Sequence, residues 1–159
     1  MKNIELLGEF ECKIDAKGRM RVPAQLLKQL GDGGTHTFVV NRGLEKNLML
    51  YPKKVWDQMI AKVSSLNQFD RNNRKFIRYM YRGAQHLELD SSDRILMKKQ
   101  LLEFAGIEKE VILFAQGDQI EIWSKTEYLN DMMMEPNEDM VSLAEKVMRN
   151  KPDLNENEI

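Results

Sequence analysis

The chain has 159 residues, of which 42% are hydrophobic and 31% charged, with a formal net charge of −1. That is the balance of a soluble globular protein, long enough for one ordinary domain or for two small units sharing a core. No apolar run approaches the roughly 20 residues of a membrane span, Glu5, Glu9 and Glu11 interrupt any secretory signal core, and a lone Cys12 excludes an intramolecular disulfide framework.

From the N-terminus, Phe10, Cys12 and Ile14 alternate as one face of a strand, which runs into a polar loop and a second short strand with Met20 and Val22 inward. A short helix follows, with Pro23 suited to its first turn and Gly31 to its stop. His36, in the Gly-rich stretch 31–37, is expected to be an exposed loop residue. Two β-rich runs, 37–41 and 48–51, are joined by the turn Arg42–Asn47. A helix then starts at Pro52, with Val55, Trp56, Met59, Ile60 and Val63 on one face. Residues 67–73 read as a polar break and 74–82 as another helix. Its neighbourhood carries Arg71, Arg74, Lys75, Arg78 and Arg82 against Asp70 alone, the pattern of a solvated face on a packed helix, with nucleic-acid contact as the alternative.

From residue 83 the pattern starts again. Gly8 corresponds to Gly83, Asp15 to Asp90, Arg19 to Arg94, Leu26–Leu27 to Leu101–Leu102 and Gly31 to Gly106, all at one constant spacing. Residues 35–56 then parallel 110–128, Tyr51 meeting Trp123 and Trp56 meeting Tyr128, with the length difference assigned to the turn between the two β-rich runs. The second turn, Gln116-Gly117-Asp118, is a tight hairpin. Neither copy has enough strands to bury both faces alone, so the two predict one intertwined, pseudo-twofold β-barrel. A last helix, with Met140, Val141, Leu143, Ala144, Val147 and Met148 on one face, is expected between Pro136 and Pro152, and residues 153–159 are expected to fray. The units are therefore a first repeat with its closing helix (1–66), a connecting basic helix (67–82), a second repeat (83–130) and an acidic C-terminal helix and tail (131–159).

Residues 131–159 hold eight acids and three bases; of the 24 bases and 25 acids in the chain, 21 and 17 remain in residues 1–130. The body is mildly basic and the tail acidic, which permits nucleic-acid binding.

Enzyme signals are thin. His36 and His86 have no metal-ligand spacing, and no nucleophile elbow, phosphate-cradling glycine loop or dinucleotide fingerprint occurs. Cys12 reads as a small hydrophobe on a strand and His86 as a strand-surface residue. Asp15 and Asp90 could be a carboxylate pair for acid–base work, but an Arg four residues after each favours a loop brace over a raised pKa. The expectation is a non-enzymatic protein with no cofactor, no metal and no small-molecule substrate.

The loops are more informative. An Asp at a strand end accepts backbone N–H bonds from the turn it starts, and Gly18 permits a left-handed backbone and a close approach. Such a loop projects Lys17, Arg19 and Arg21 from a rigid scaffold, and Arg suits bidentate contact with phosphate or guanine. The alternative is that Arg19 merely pairs with Asp15 at the surface.

Together the segments GEFECKIDAKGRMRVPAQL, TFVVNRGLEKNLMLYPKKVW, FIRYMYRGAQHLELDSSDRILMKKQLLEFAGI and VILFAQGDQIEIWSKTEY resemble the MraZ family, bacterial regulators of the division and cell-wall gene cluster within the wider AbrB-like superfamily. The resemblance covers residues 3–130. It implies an α+β, swapped-hairpin AbrB-like barrel. It also implies assembly of chains into a ring and binding of tandem promoter boxes in double-stranded DNA, through Asp15 and Arg19 and through Asp90 and Arg94, in the cytoplasm at the nucleoid. One departure stands out. The family usually has Gly before the motif Arg in both copies; Gly18 keeps it and Asp93 does not, so the first loop sums to +1 and the second to −1. Lys98-Lys99 also stands where prolines are common. Lys17, Arg19 and Arg21 are therefore expected to carry the DNA contact, Asp15, Gly18 and Asp90 to shape the loops, and Arg94 to be the weaker contributor. The other reading is a protein-interaction module, an antitoxin-like barrel.

Overall fold

The computed structural model describes residues 4–31, 36–133 and 137–150 and divides the chain into two units, Met1–Tyr128 and Leu129–Ile159.

In the first unit, β1 (Leu6–Lys13), β2 (Arg19–Arg21), α1 (Ala24–Leu30), β3 (Thr37–Arg42), β4 (Leu48–Pro52), α2 (Lys53–Ser64) and α3 (Arg71–Tyr81) form the first half. The second half repeats the order as β5 (Gln85–Glu88), β6 (Arg94–Leu96), α4 (Lys99–Phe104), β7 (Glu110–Gly117), β8 (Gln119–Ser124) and the start of α5 (Lys125–Met132). Six strands make one sheet in the order β1-β7-β8-β4-β3-β5, and β2 pairs with β6 as a separate two-stranded ribbon. All the pairings are antiparallel.

Exchanging the two repeats maps this order onto itself. The first strand of each copy leaves its own hairpin and pairs with the hairpin of the other: β1 runs along β7, and β5 along β3. That is the swapped connectivity expected from the repeat, and the class is α+β as read from sequence. The expected barrel, however, does not close. β1 and β5 remain the two edges of the sheet, and the ribbon lies at the opening, tied to β1 through the Ile14–Met20 bridge. At its exposed edge β1 is met by Gln29 of α1, whose amide accepts from the Leu7 N–H at 2.8 Å and donates to the Leu7 carbonyl at 3.0 Å.

The strand pairings also relocate the length difference between the repeats. Val40 faces Gln85, while Phe10, the counterpart of Gln85, faces Leu113; Val40 therefore matches Leu113, not Ala115. Two of the three extra residues of the first copy lie before β3 and only one in the turn after it.

Side chains alternate along the strands and build two cores. On one sheet face Phe38, Val40, Leu48, Leu50, Leu113, Ile120 and Ile122 pack with Met20 and Ile95 of the ribbon, Leu26 of α1 and Leu101 of α4. On the other, Val39 and Tyr51 pack with Val55, Trp56 and Val63 of α2 and Met80 of α3. β3 and β4 are covered on both sides, which is why they read as near-continuous apolar runs. Burying each of these side chains contributes about 1.5–3 kcal/mol.

α3 starts three residues before the expected position because Asp70 caps it, accepting from the N–H groups of Asn72 (2.8 Å) and Asn73 (3.2 Å). Asn41 anchors its other end, donating from Nδ2 to the Met80 carbonyl at 3.1 Å. His36 is half-buried and stacks on Phe38 rather than lying exposed in a loop. Cys12 is half-buried, its thiol pushed up by burial to about 11, and His86 is exposed on β5.

The second unit contains the end of α5 and α6 (Met140–Arg149), capped by Asp139, which accepts from the Ser142 N–H at 2.7 Å. Met140, Val141, Leu143, Val147 and Met148 are exposed on α6. Pro136, Pro152 and the tail 153–159 lie outside the described residues. Among the described residues no helix is long and apolar enough to cross a membrane.

Candidate nucleic-acid interface

Both Asp-x-x-x-Arg loops are built the same way. Asp15 Oδ1 accepts from the backbone N–H groups of Lys17 and Arg19, each at 2.9 Å, and Oδ2 takes the Arg19 Nε at 2.7 Å. In the second copy Asp90 Oδ1 accepts from the N–H of Ser92 (2.8 Å) and Arg94 (2.9 Å), and Oδ2 takes Arg94 Nε at 2.9 Å. The N–H of residue 15 or 90 closes each loop onto the carbonyl of the motif Arg. Hydrogen bonding from the Arg19 backbone N–H, reinforced by its guanidinium, holds the Asp15 carboxyl below its ordinary value; the Arg94 N–H does the same for Asp90. These are carboxylates fixed in the charged state, the opposite of what a general acid needs.

The ion pair and the anion-binding reading of Arg19 are compatible. The aspartate engages Nε alone, so it fixes the guanidinium while the two terminal amino groups remain as donors.

The fourth loop position is where the copies differ. Gly18 has φ +87, and a Cβ there would stand 2.7 Å from the Met97 carbonyl oxygen. Asp93 takes the same left-handed turn with φ 59, the one non-glycine residue to do so among the described residues. Gly18 and Asp93 each offer a carbonyl to the far side of the ribbon, accepting from the N–H of Met97 (3.0 Å) and Val22 (2.9 Å) respectively. Asp is tolerated there because its short polar side chain suits that backbone region, so the loop shape survives the substitution and only the charge changes.

What the loops support is the ribbon between them. Arg19 stands opposite Leu96, Met20 opposite Ile95 and Arg21 opposite Arg94. Met20 and Ile95 are both 0% exposed and clamp the ribbon to the sheet. Residues on either side of them in each strand point the other way, so Arg19, Arg21, Arg94 and Leu96 form one outward face. Lys17 is exposed at the tip of the first loop, beside the Arg19–Leu96 end. Asp93 is exposed at the other end, where Arg21 and Arg94 face each other.

The first loop sums to +1 and the second to −1; the β2–β6 register sets Arg21, which follows the first loop, directly across from Arg94 of the second, and the two arginines there balance Asp90 and Asp93. The pairing of Arg21 with Arg94 depends on the β2–β6 register and was missed from sequence. The repeat did hold one part of it: Arg21 corresponds to Leu96, which is 54% exposed.

Comparison with known proteins places the chain in a family. The family model described as "MraZ protein, putative antitoxin-like" matches residues 6–79 and again residues 80–142. A relative named "Transcriptional regulator MraZ" from Christiangramia forsetii is 40% identical, over 92% of this chain and 95% of its own length. Proteins of the same name from Flavobacterium psychrophilum and Cytophaga hutchinsonii are 38% and 37% identical, over 93% and 89% of this chain and 94% and 93% of theirs.

Proposed function

The chain belongs to the MraZ family, and from that premise we propose that it is a DNA-binding transcriptional regulator whose contact surface is the outward face of the β2–β6 ribbon. The observation that carries this reading is the convergence of Arg19, Arg21 and Arg94 on one face of a two-stranded ribbon seated by Met20 and Ile95. A ribbon of that width fits the major groove, and arginine recognises guanine or phosphate in bidentate fashion. Arg21 stands directly across from Arg94, whose Nε is held by Asp90, and the terminal amino groups of the two guanidiniums suit a phosphate. Asp15, Gly18 and Asp90 shape the loops, and Lys17 adds a phosphate contact.

One ribbon contributes modestly. Chains assembled in a ring present several, spaced to match tandem promoter boxes, and the sites act together. The boxes are those of the division and cell-wall gene cluster, including the promoter ahead of the protein's own operon, which places the protein at the nucleoid. No catalytic step, cofactor or metal enters this function.

The test is retardation of the operon's upstream DNA by the Arg19→Ala variant at moderate salt, with the oligomer checked by size exclusion. Loss of one bidentate contact costs about 1–3 kcal/mol per site, and multiplied over a ring it abolishes retardation. Unchanged retardation by an intact oligomer overturns the proposal. Copurification with a stoichiometric basic protein, without salt-sensitive DNA binding, favours the antitoxin-like reading instead.

A further inference from the structure

On α3, Arg71, Lys75 and Arg78 are followed by Arg82 at the C-cap, at steps of four, three and four residues, which keeps them on one stripe of the helix. All four are exposed. Met80 is buried on the opposite side, against Val39, Tyr51 and Trp56, so the stripe points directly away from the sheet. The ion pairs among the described residues involve none of the four. Asp70, the one acid between residues 68 and 87, is occupied by the N–H groups of Asn72 and Asn73.

An ordinary solvated helix intersperses signs. Here Arg71 with Lys75 and Arg78 with Arg82 are like charges four residues apart, which destabilises a helix. Arg71 also sits in the first turn, where the helix dipole is positive and a carboxylate would be favoured. Helix stability does not account for this stripe; an anionic partner does.

The stripe and the arginine ribbon lie on opposite faces of β3 and β4, because α3 packs in the core that contains Val39 and Tyr51 while the ribbon packs in the core that contains Phe38 and Val40. A single straight duplex lying on the ribbon does not reach the stripe. The stripe runs about 16 Å along the axis, the length that carries about five phosphates of one DNA strand. The apolar side of α3 is committed to the sheet through Ile77 and Met80, so it is not free to enter a bilayer as an interfacial helix does.

We infer that the outward face of α3 is a second phosphodiester-binding surface, which holds the backbone of double-stranded DNA without reading its bases, so that one chain can engage a second DNA segment behind the one it recognises.

The experiment compares the full-length protein with a variant carrying Arg71→Gln, Lys75→Gln, Arg78→Gln and Arg82→Gln, on random-sequence and promoter duplexes between about 50 and 200 mM salt. The slope of log affinity against log salt on random duplex flattens by roughly three to four, and the preference for the promoter boxes is retained. The pair Lys75→Gln and Arg78→Gln, a milder change, flattens it by roughly two. An unchanged slope in both variants overturns the inference. Binding of phosphatidylserine vesicles that is lost in the variants while the DNA slope stays the same also overturns it, in favour of a lipid surface; exposed Phe69 just ahead of the stripe makes that arm worth running. The ribbon reading fails separately, since it depends on whether Arg19→Ala abolishes retardation of the operon's upstream DNA.

Discussion

The loops at 15–19 and 90–94 are near copies in geometry and opposites in charge. Each aspartate accepts two backbone N–H groups and one arginine Nε, with distances agreeing to within about 0.2 Å. Yet the first holds Lys17 and Gly18 where the second holds Ser92 and Asp93, and the strand after the first offers Arg21 where the second offers Leu96. A duplicated brace has thus been kept wherever backbone hydrogen bonds depend on it and released wherever only the outward surface is at stake. Loop shape and outward charge are separable in this ribbon, and they can be tested separately.

The largest effect is expected at Gly18. Gly18→Ala places a Cβ 2.7 Å from the Met97 carbonyl oxygen on a left-handed backbone, and neither backbone can yield without losing the hydrogen bond from the Met97 N–H. A loss of about 1–3 kcal/mol is expected, seen as a lower midpoint in urea unfolding. Asp93→Gly, at the equivalent position, leaves the midpoint within about 0.5 kcal/mol. Equal destabilisation by the two changes would show that the loops are not structurally independent of their charge.

A smaller effect is expected from restoring symmetry. Leu96→Arg with Asp93→Gly brings residues 90–96 from −1 to +1, closer to the +2 of residues 15–21, by adding one cation and removing one anion from the outward face. DNA affinity should rise, and the salt slope should steepen by about two. Titration against the promoter duplex at several salt concentrations measures it. No steepening would mean that the Leu96 side of the ribbon lies away from the DNA.

The smallest difference is expected in acid. Asp15 and Asp90 both titrate below the ordinary carboxylate value in the folded protein. Their contribution to stability is therefore complete above the unfolded pKa of about 3.9 and is lost as pH falls through the lower folded value. Carbon-detected titration of the two carboxyls should show both curves displaced to low pH and nearly superimposed. A displaced Asp15 beside an ordinary Asp90 would break the equivalence of the braces.

Much of this was legible in the chain. The internal repeat announces itself at Gly8/Gly83, Asp15/Asp90 and Arg19/Arg94, and the Asp–Arg spacing foretold the brace. What was hidden depends on contacts between residues far apart in sequence. Arg21 meets Arg94 only through the β2–β6 register, and Val40 is matched to Leu113 only by their partners Gln85 and Phe10. The start of α3 was misplaced because Asn72 and Asn73 look like loop residues until Asp70 is seen to cap them. Closure of the sheet was overestimated because strand count does not say whether the last edges meet.

Those unmet edges give Gln29 a role beyond local packing. Its amide presents to Leu7 a donor and an acceptor in the arrangement a neighbouring strand would use, occupying the ladder position at which another chain could add. In the second repeat the counterpart is Phe104, which lies under the Arg42 guanidinium instead. An exposed β-edge is a template for fibrous growth, and a side chain that counterfeits the next strand closes the Leu7 rung of β1 to it.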